Sequence, residues 1–254
     1  MSSPSGARDC SFVPFLPDRM RILSGSALKL LAVAAMICDH VSIHLLRFSS
    51  AFISPIFHRL PDLSVYSLLH GFGRIAFPIY AFLLVEGFFY TKSRSTYAKR
   101  LAIFALISEI PWNLEHSGSL FLPSSQNVFF TLLAGFLGMC LADRIRKGQA
   151  GRAEPFAFVA LLVFSFFGGA DYGSAGFGFI LILYFLRTES FLQAIAGSSV
   201  LSAKWKGALA FLPINMYNGE RGFIQSKFLK YLFYAIYPAH ITIIWLIKRK
   251  LGFL

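Results

Sequence analysis

Charge is scarce in this 254-residue sequence: only 14% of its residues are Asp, Glu, Lys or Arg, against about 25% in a soluble domain. Acid is scarcer still, with 12 Asp and Glu against 24 Lys and Arg, a formal net charge of +12. Three cysteines, Cys10, Cys38 and Cys140, are too few for a disulfide framework, and no Cys and His pairs stand at zinc-ligand spacing. No Walker loop, dinucleotide fingerprint or nucleophile elbow occurs. These absences exclude a disulfide-stapled domain and the common soluble nucleotide enzymes. What the chain has in quantity is apolar: 56% of its residues are hydrophobic and 29 are Phe, with a mean hydropathy of +0.62. In water so few charges could not cover that much apolar surface, so a lipid bilayer must be the solvent. The pI near 9.8 does not imply nucleic acid, because the cations fall mostly between apolar runs, where they anchor loops to anionic headgroups.

Residues 1–26 carry Pro4, Pro14, Pro17, Arg8, Arg19 and Arg21 without apolar periodicity and read as a basic cytoplasmic tail. Residues 27–250 read as one membrane domain. Spans are expected at 27–46, 73–90, 97–114, 127–142, 155–168, 173–186 and 231–247, each long enough, or nearly so, to cross the hydrocarbon. Segments 190–203 and 205–216 are short, so they are tilted, re-entrant or one bent unit. The fold class is therefore an all-α polytopic transmembrane helix bundle of about eight or nine spans. Arg8, Arg19 and Arg21 before the first span, Lys92 to Arg100 after the second, and Arg144 to Arg152 after the fourth place these loops inside, with the amino terminus cytoplasmic. The alternating loops 114–126 and 169–172 hold no Lys or Arg. Lys248, Arg249 and Lys250 favour an inside carboxyl end, which an odd count of spans would contradict.

An ionisable side chain within a span costs about 2.5 kcal/mol or more on insertion scales, so each one is a functional candidate. Asp39 and His40 lie about two thirds of the way along the first span, and Arg74 opens the second span from the same outer side. That depth permits an Asp39–Arg74 ion pair. Glu86 is twelve residues beyond Arg74, about 18 Å deeper along a helix, near Lys92 and Arg94 and level with Arg100. A basic inner mouth holding a buried carboxylate is expected there, although plain anchoring also explains Lys92, Arg94, Lys99 and Arg100. His40 and His44 share a face, but no third or fourth ligand stands at a recognisable spacing, so no metal is expected. Asp39 points away from His40 on the helix, so any partner that orients His40 must come from another helix. The run MYNGERG reads as a turn, and Pro238 in YPAH predicts a kink in the last span.

The segments LKLLAVAAMICDH, GRIAFPIYAFLLVEGFFYTKS, YAKRLAIFALISEIPWNL, NVFFTLLAGFLG, DYGSAGFGFILILYF, YNGERG and YPAH, in this order, resemble the TraX family over about residues 28–246. The resemblance implies a bacterial plasma-membrane acetyltransferase that takes its acyl group from acetyl-CoA. The acceptor would be an amine, such as the amino terminus of a pilin-like protein, or a hydroxyl of a surface glycan. By likeness to membrane acyltransferases of similar layout, His40 is the candidate general base, with Asp39 and Arg74 as its companions in the catalytic set. Glu86, Lys92, Arg94, Lys99 and Arg100 are the candidate acetyl-CoA residues, their cations facing its phosphates. Two rival classes share these features: a membrane transporter or permease that uses the buried charges as an ion path, and a non-catalytic component of a conjugation or secretion assembly.

Overall fold

The computed structural model describes residues 12–56, 62–201 and 205–252. Residues 1–11 of the basic tail, with Pro4, Arg8 and Cys10, and residues 202–203 of the segment 190–203 lie outside the described residues. Among the described residues the chain is all-α, its only strand-like pairings being two isolated bridges, Leu23 with Tyr217 and Gln126 with Ala170.

The principal helices are α1 (Gly25–His44), α2 (Val65–Gly73), α3 (Ala76–Tyr90), α4 (Arg94–Ser117), α5 (Val128–Arg146), α6 (Ala153–Phe167), α7 (Gly173–Phe185), α8 (Ser190–Val200), α9 (Phe211–Asn215) and α10 (Lys227–Leu251). Several begin where a side-chain oxygen takes an orphan backbone N–H: Ser24 for α1, Ser93 for α4, Asn127 for α5 and Ser226 for α10. The α4 helix ends on Gly118 at φ 69° and α10 on Gly252 at φ 73°, the left-handed stop that glycine accepts without strain. Among the described residues four stretches are long and apolar enough to cross a membrane: Gly25–Phe48, Val65–Tyr90, Val128–Arg146 and Phe228–Leu251. The shorter α6 and α7 are apolar throughout. On α6, Phe156, Phe166 and Phe167 stand outward, where lipid is the natural solvent for them.

Lateral contacts give the bundle two faces. Leu23, beside the start of α1, bridges to Tyr217, while His44 at the other end of α1 lies against Glu115 at the end of α4. Lys248, near the end of α10, bonds the same Glu115. The chain therefore starts α1 on one face, here the basic face, and ends α10 on the far face. The expectation that Lys248, Arg249 and Lys250 return to the side of the amino terminus is overturned: a buried carboxylate on the far face holds the first of them. The far face is thus not free of cations, and three arginines or lysines at a helix end do not outweigh the packing of the helix that carries them.

The two short segments resolve as a hairpin. The α8 helix leaves the basic face, with Gly197 seated against the Phe211 and Phe179 rings. Lys206 lies beside Gly71, and α9 returns to the basic face, where Asn215 Oδ1 accepts the Phe15 N–H at 3.1 Å. Residues 12–24 are not a free tail: Phe12 packs edge-on to Phe82 at 4.9 Å, and Leu23 N–H donates to the Met216 carbonyl at 2.9 Å.

Two glycines set the positions of Arg74, His70 and Arg221. At Gly73 a Cβ would collide with Asp39, so only glycine lets the α2–α3 junction lie on α1 closely enough to place Arg74 and His70 around that carboxylate. Gly222, at φ 75°, has Ser24 and Ser26 where a side chain would go. Ser26 Oγ donates to the Arg221 carbonyl and accepts the Ile224 N–H, each at 2.8 Å. The MYNGERG turn is thereby locked under the start of α1, and Arg221 comes to the basic face.

Candidate functional site

A cavity of about 890 Å³ opens inside the bundle. At the basic face its wall carries Lys29, Lys92, Arg100, Arg221 and Lys230; deeper it carries Asp39, His40, Asp171, Tyr172 and Tyr237. From Lys29 to His40 along α1 is eleven residues, about 16 Å of helix axis. The void thus joins a cationic mouth to the polar depth of the membrane domain, and its volume suits a ligand of cofactor size.

The mouth is strongly cationic because the acid that lines it there is already taken. Glu86 borders the cavity, but Arg187 grips it through two bonds, Nε to Oε1 at 2.7 Å and Nη2 to Oε2 at 3.0 Å. Arg187 also lies over the Phe89 ring at 4.2 Å. The fork geometry satisfies both carboxylate oxygens, so Glu86 neutralises none of the mouth cations. Arg100 sits over the Tyr97 ring at 5.3 Å with its buried Nε unbonded.

Of the residues expected at this mouth, the structure brings Glu86, Lys92 and Arg100 to the cavity wall. Arg94 turns away: its Nη1 donates to Asp143 at 2.6 Å and its guanidinium covers Phe88 at 3.9 Å. Lys99 is exposed and does not line the cavity. Sequence reasoning missed Lys29, Arg221, Lys230 and the Glu86 partner Arg187. Lys29 has the one legible signal, a cation one turn inside an apolar span; the other three come from distant chain segments.

At the deep end the Asp39–Arg74 ion pair forms as depth allowed, and His70 Nδ1 donates to the other carboxylate oxygen at 2.8 Å. Arg74 itself is not part of the cavity wall. His40 has the partner that α1 could not supply. His240 Nδ1–H donates to the Ile236 carbonyl at 2.9 Å, leaving its Nε2 an acceptor, and His40 Nδ1–H donates to that Nε2 at 2.6 Å. This pattern assigns the tautomers and leaves His40 Nε2 with a free lone pair. The two rings are stacked at 4.9 Å, and Tyr237 meets His40 edge-on at 6.1 Å, its hydroxyl unbonded. Asp171, in the loop before α7, keeps an open surface toward the cavity while protein encloses its other sides. Burial raises its carboxyl to about 6, against the pull of the Arg74 guanidinium.

The helical bundle, with a basic-mouthed cavity that ends at an oriented histidine, defines the class: an all-α polytopic membrane protein. The family model of the TraX protein matches residues 24–248, and the chain belongs to the TraX family. It is 26% identical over 251 residues to the probable fimbrial assembly protein FimC, serogroup H1, of Dichelobacter nodosus, with 87% of this chain and 94% of that protein covered. No solved structure matches it.

Proposed function

We propose that this protein is a membrane acyltransferase that takes an acyl group from acetyl-CoA at the basic face and passes it to an acceptor near His40. One observation carries the reading: a single cavity runs from five cations to His40, the first member of a two-histidine chain. Lys29, Lys92, Arg100, Arg221 and Lys230 suit a polyanion. The stretch between mouth and depth, walled by Leu83, Leu101 and Leu132, suits an extended pantetheine arm, which would carry the thioester toward His40. There His40 Nε2 takes the proton of the attacking amine or hydroxyl as its N–C or O–C bond to the acyl carbon forms. The same proton passes to the departing thiolate as the C–S bond breaks. Arg74 is held on Asp39 outside the cavity wall, so Tyr237, which lines the cavity beside His40 with its hydroxyl unbonded, suits the oxyanion better once its side chain turns toward the acyl group. His240 is a positioning residue that fixes which nitrogen of His40 is basic.

Because acetyl-CoA is cytoplasmic, this reading sets the basic face inside a bacterial plasma membrane, with the amino terminus cytoplasmic and the end of α10 outside. Membership of the TraX family and likeness to a fimbrial assembly protein support a setting in pilus, fimbrial or conjugation systems, with a pilin-like amino terminus as the first acceptor to try and a surface glycan hydroxyl as the second. The test is thermal unfolding of the detergent-purified protein with acetyl-CoA. At one hundred times its dissociation constant a ligand adds about 2.7 kcal/mol, and Arg100→Ala should remove that gain. Absence of any shift at saturating acetyl-CoA overturns the reading in favour of a permease or an assembly component.

A further inference from the structure

On the far face, away from the cavity mouth, the last turns of α1 and α4 bring His44, Glu115 and His116 together, with one ligand atom from each lying within 4.8 Å of the others. Glu115 is fully buried, yet its Oε2 accepts no hydrogen bond. The reason is geometric. His116 Nδ1 lies 2.9 Å from Oε2, but it also lies 3.0 Å from the Trp112 carbonyl and gives its hydrogen there. On the other oxygen, Oε1, Lys248 Nζ donates at 2.8 Å and His44 Nδ1 lies at 2.7 Å. Burying a carboxylate with one oxygen unsatisfied is costly, and a ring nitrogen committed to a backbone carbonyl leaves the other nitrogen of His116 as a lone-pair donor.

We propose that His44, Glu115 and His116 form a binding site for a divalent transition-metal ion, zinc first, with Glu115 Oε2 and one nitrogen of each imidazole as ligands. Two imidazoles and a carboxylate are the donor set of open-sided zinc sites, which keep a position for water. Tetrahedral bonds of 2.0–2.1 Å put ligand atoms about 3.3 Å apart, so atoms that lie within 4.8 Å of one another have to close by up to about 1.5 Å. The side chains can make that move: His116 retains 26% of its side-chain surface and His44 13%, which also leaves an entry path. Lys248 stays on Oε1 and on the Glu115 carbonyl, 3.0 Å away, as a neighbour that orients the carboxylate. The His44 ring lies edge-on to His40 at 5.8 Å, so the site is tested by bound metal and not by acyl transfer. The sequence concealed the site because the two partners of His44, Glu115 and His116, stand on α4 far along the chain, whereas His40, four residues from His44, turns instead to His240.

The experiment uses the full chain, purified in detergent without a histidine tag and dialysed against buffered zinc, with bound metal measured by mass spectrometry and confirmed by titration. One zinc per chain is expected, weakened about tenfold or more by His116→Ala and likewise by His44→Ala. His116→Ala is the safer variant for folding because its ring reaches the surface. Zinc that is absent, or that binds equally well after both histidine substitutions, overturns the proposal.

Discussion

Glu86 and Glu115 are the same residue with nearly the same burial, 4% and 0% exposed, and they do opposite things. Glu86 meets a guanidinium whose fork fills both of its oxygens, so it is a closed pair that ties α3 to the chain after α7. Glu115 has three basic partners and still one oxygen without a hydrogen bond, so it is open. Burial alone does not mark a functional carboxylate; burial with an unfilled oxygen does. The cations divide in the same way: Arg94 is closed on Asp143, whereas Arg100 borders the cavity with its buried Nε unbonded.

Closed pairs should show in stability and open groups in binding or rate. The largest expected effect is at Glu86: Glu86→Gln or Arg187→Met alone should cost about 3–5 kcal/mol in unfolding, because each strands a buried charge, while Glu86→Leu with Arg187→Met should recover most of it. A single variant as stable as the parent would break the contrast. Next comes His40→Ala, which should lower acyl transfer by about 10²–10⁴ with membrane insertion and folding retained; transfer at the parental rate removes His40 as the base. Arg100→Ala should leave unfolding of the ligand-free protein within about 1 kcal/mol and abolish the acetyl-CoA shift, while Lys99→Ala, at a position outside the cavity wall, changes neither. Equal losses in the two would mean that mouth charge, not cavity position, governs binding.

The smallest effect concerns pH. Burial raises Asp171 to about 6 in the folded protein, above its ordinary value near 3.9, so the folded state holds that proton more tightly than the unfolded chain. Its ionisation therefore opposes folding, and stability from this group falls as pH climbs from about 4 through 6. Asp171→Asn should match the parent in thermal unfolding at pH 4 and exceed it at pH 7, modestly, since the carboxylate faces an open cavity. A gap that does not widen with pH would show the carboxylate to be solvated in the folded state.

Much of the helical layout was legible because hydrophobic run length is a local property. The expected spans at 27–46, 97–114, 127–142, 173–186 and 231–247 fall within a few residues of α1, α4, α5, α7 and α10. The second span was read short: it begins at Val65, not at 73, because Ser64 caps α2 and a tight turn at Arg74 and Ile75 joins α2 to α3 in one apolar stretch. The Asp39–Arg74 pair was legible because depth follows from residue count. Its third member, His70, was not, since the contact depends on Gly73 letting two helices touch.

By itself the sequence determined that this protein lives in a membrane, that its helices fall at these places, and that Asp39, His40, Arg74 and Glu86 would need partners there, because the cost of unpaired charge in hydrocarbon is fixed by composition and spacing. Only the tertiary structure decided which partners they found. His240 for His40, Arg187 for Glu86 and His44 with His116 and Lys248 for Glu115 lie 200, 101, 71, 1 and 133 residues apart in the chain. Most of these pairings are settled by helix packing and by glycines too small to keep the helices apart, which no local pattern encodes.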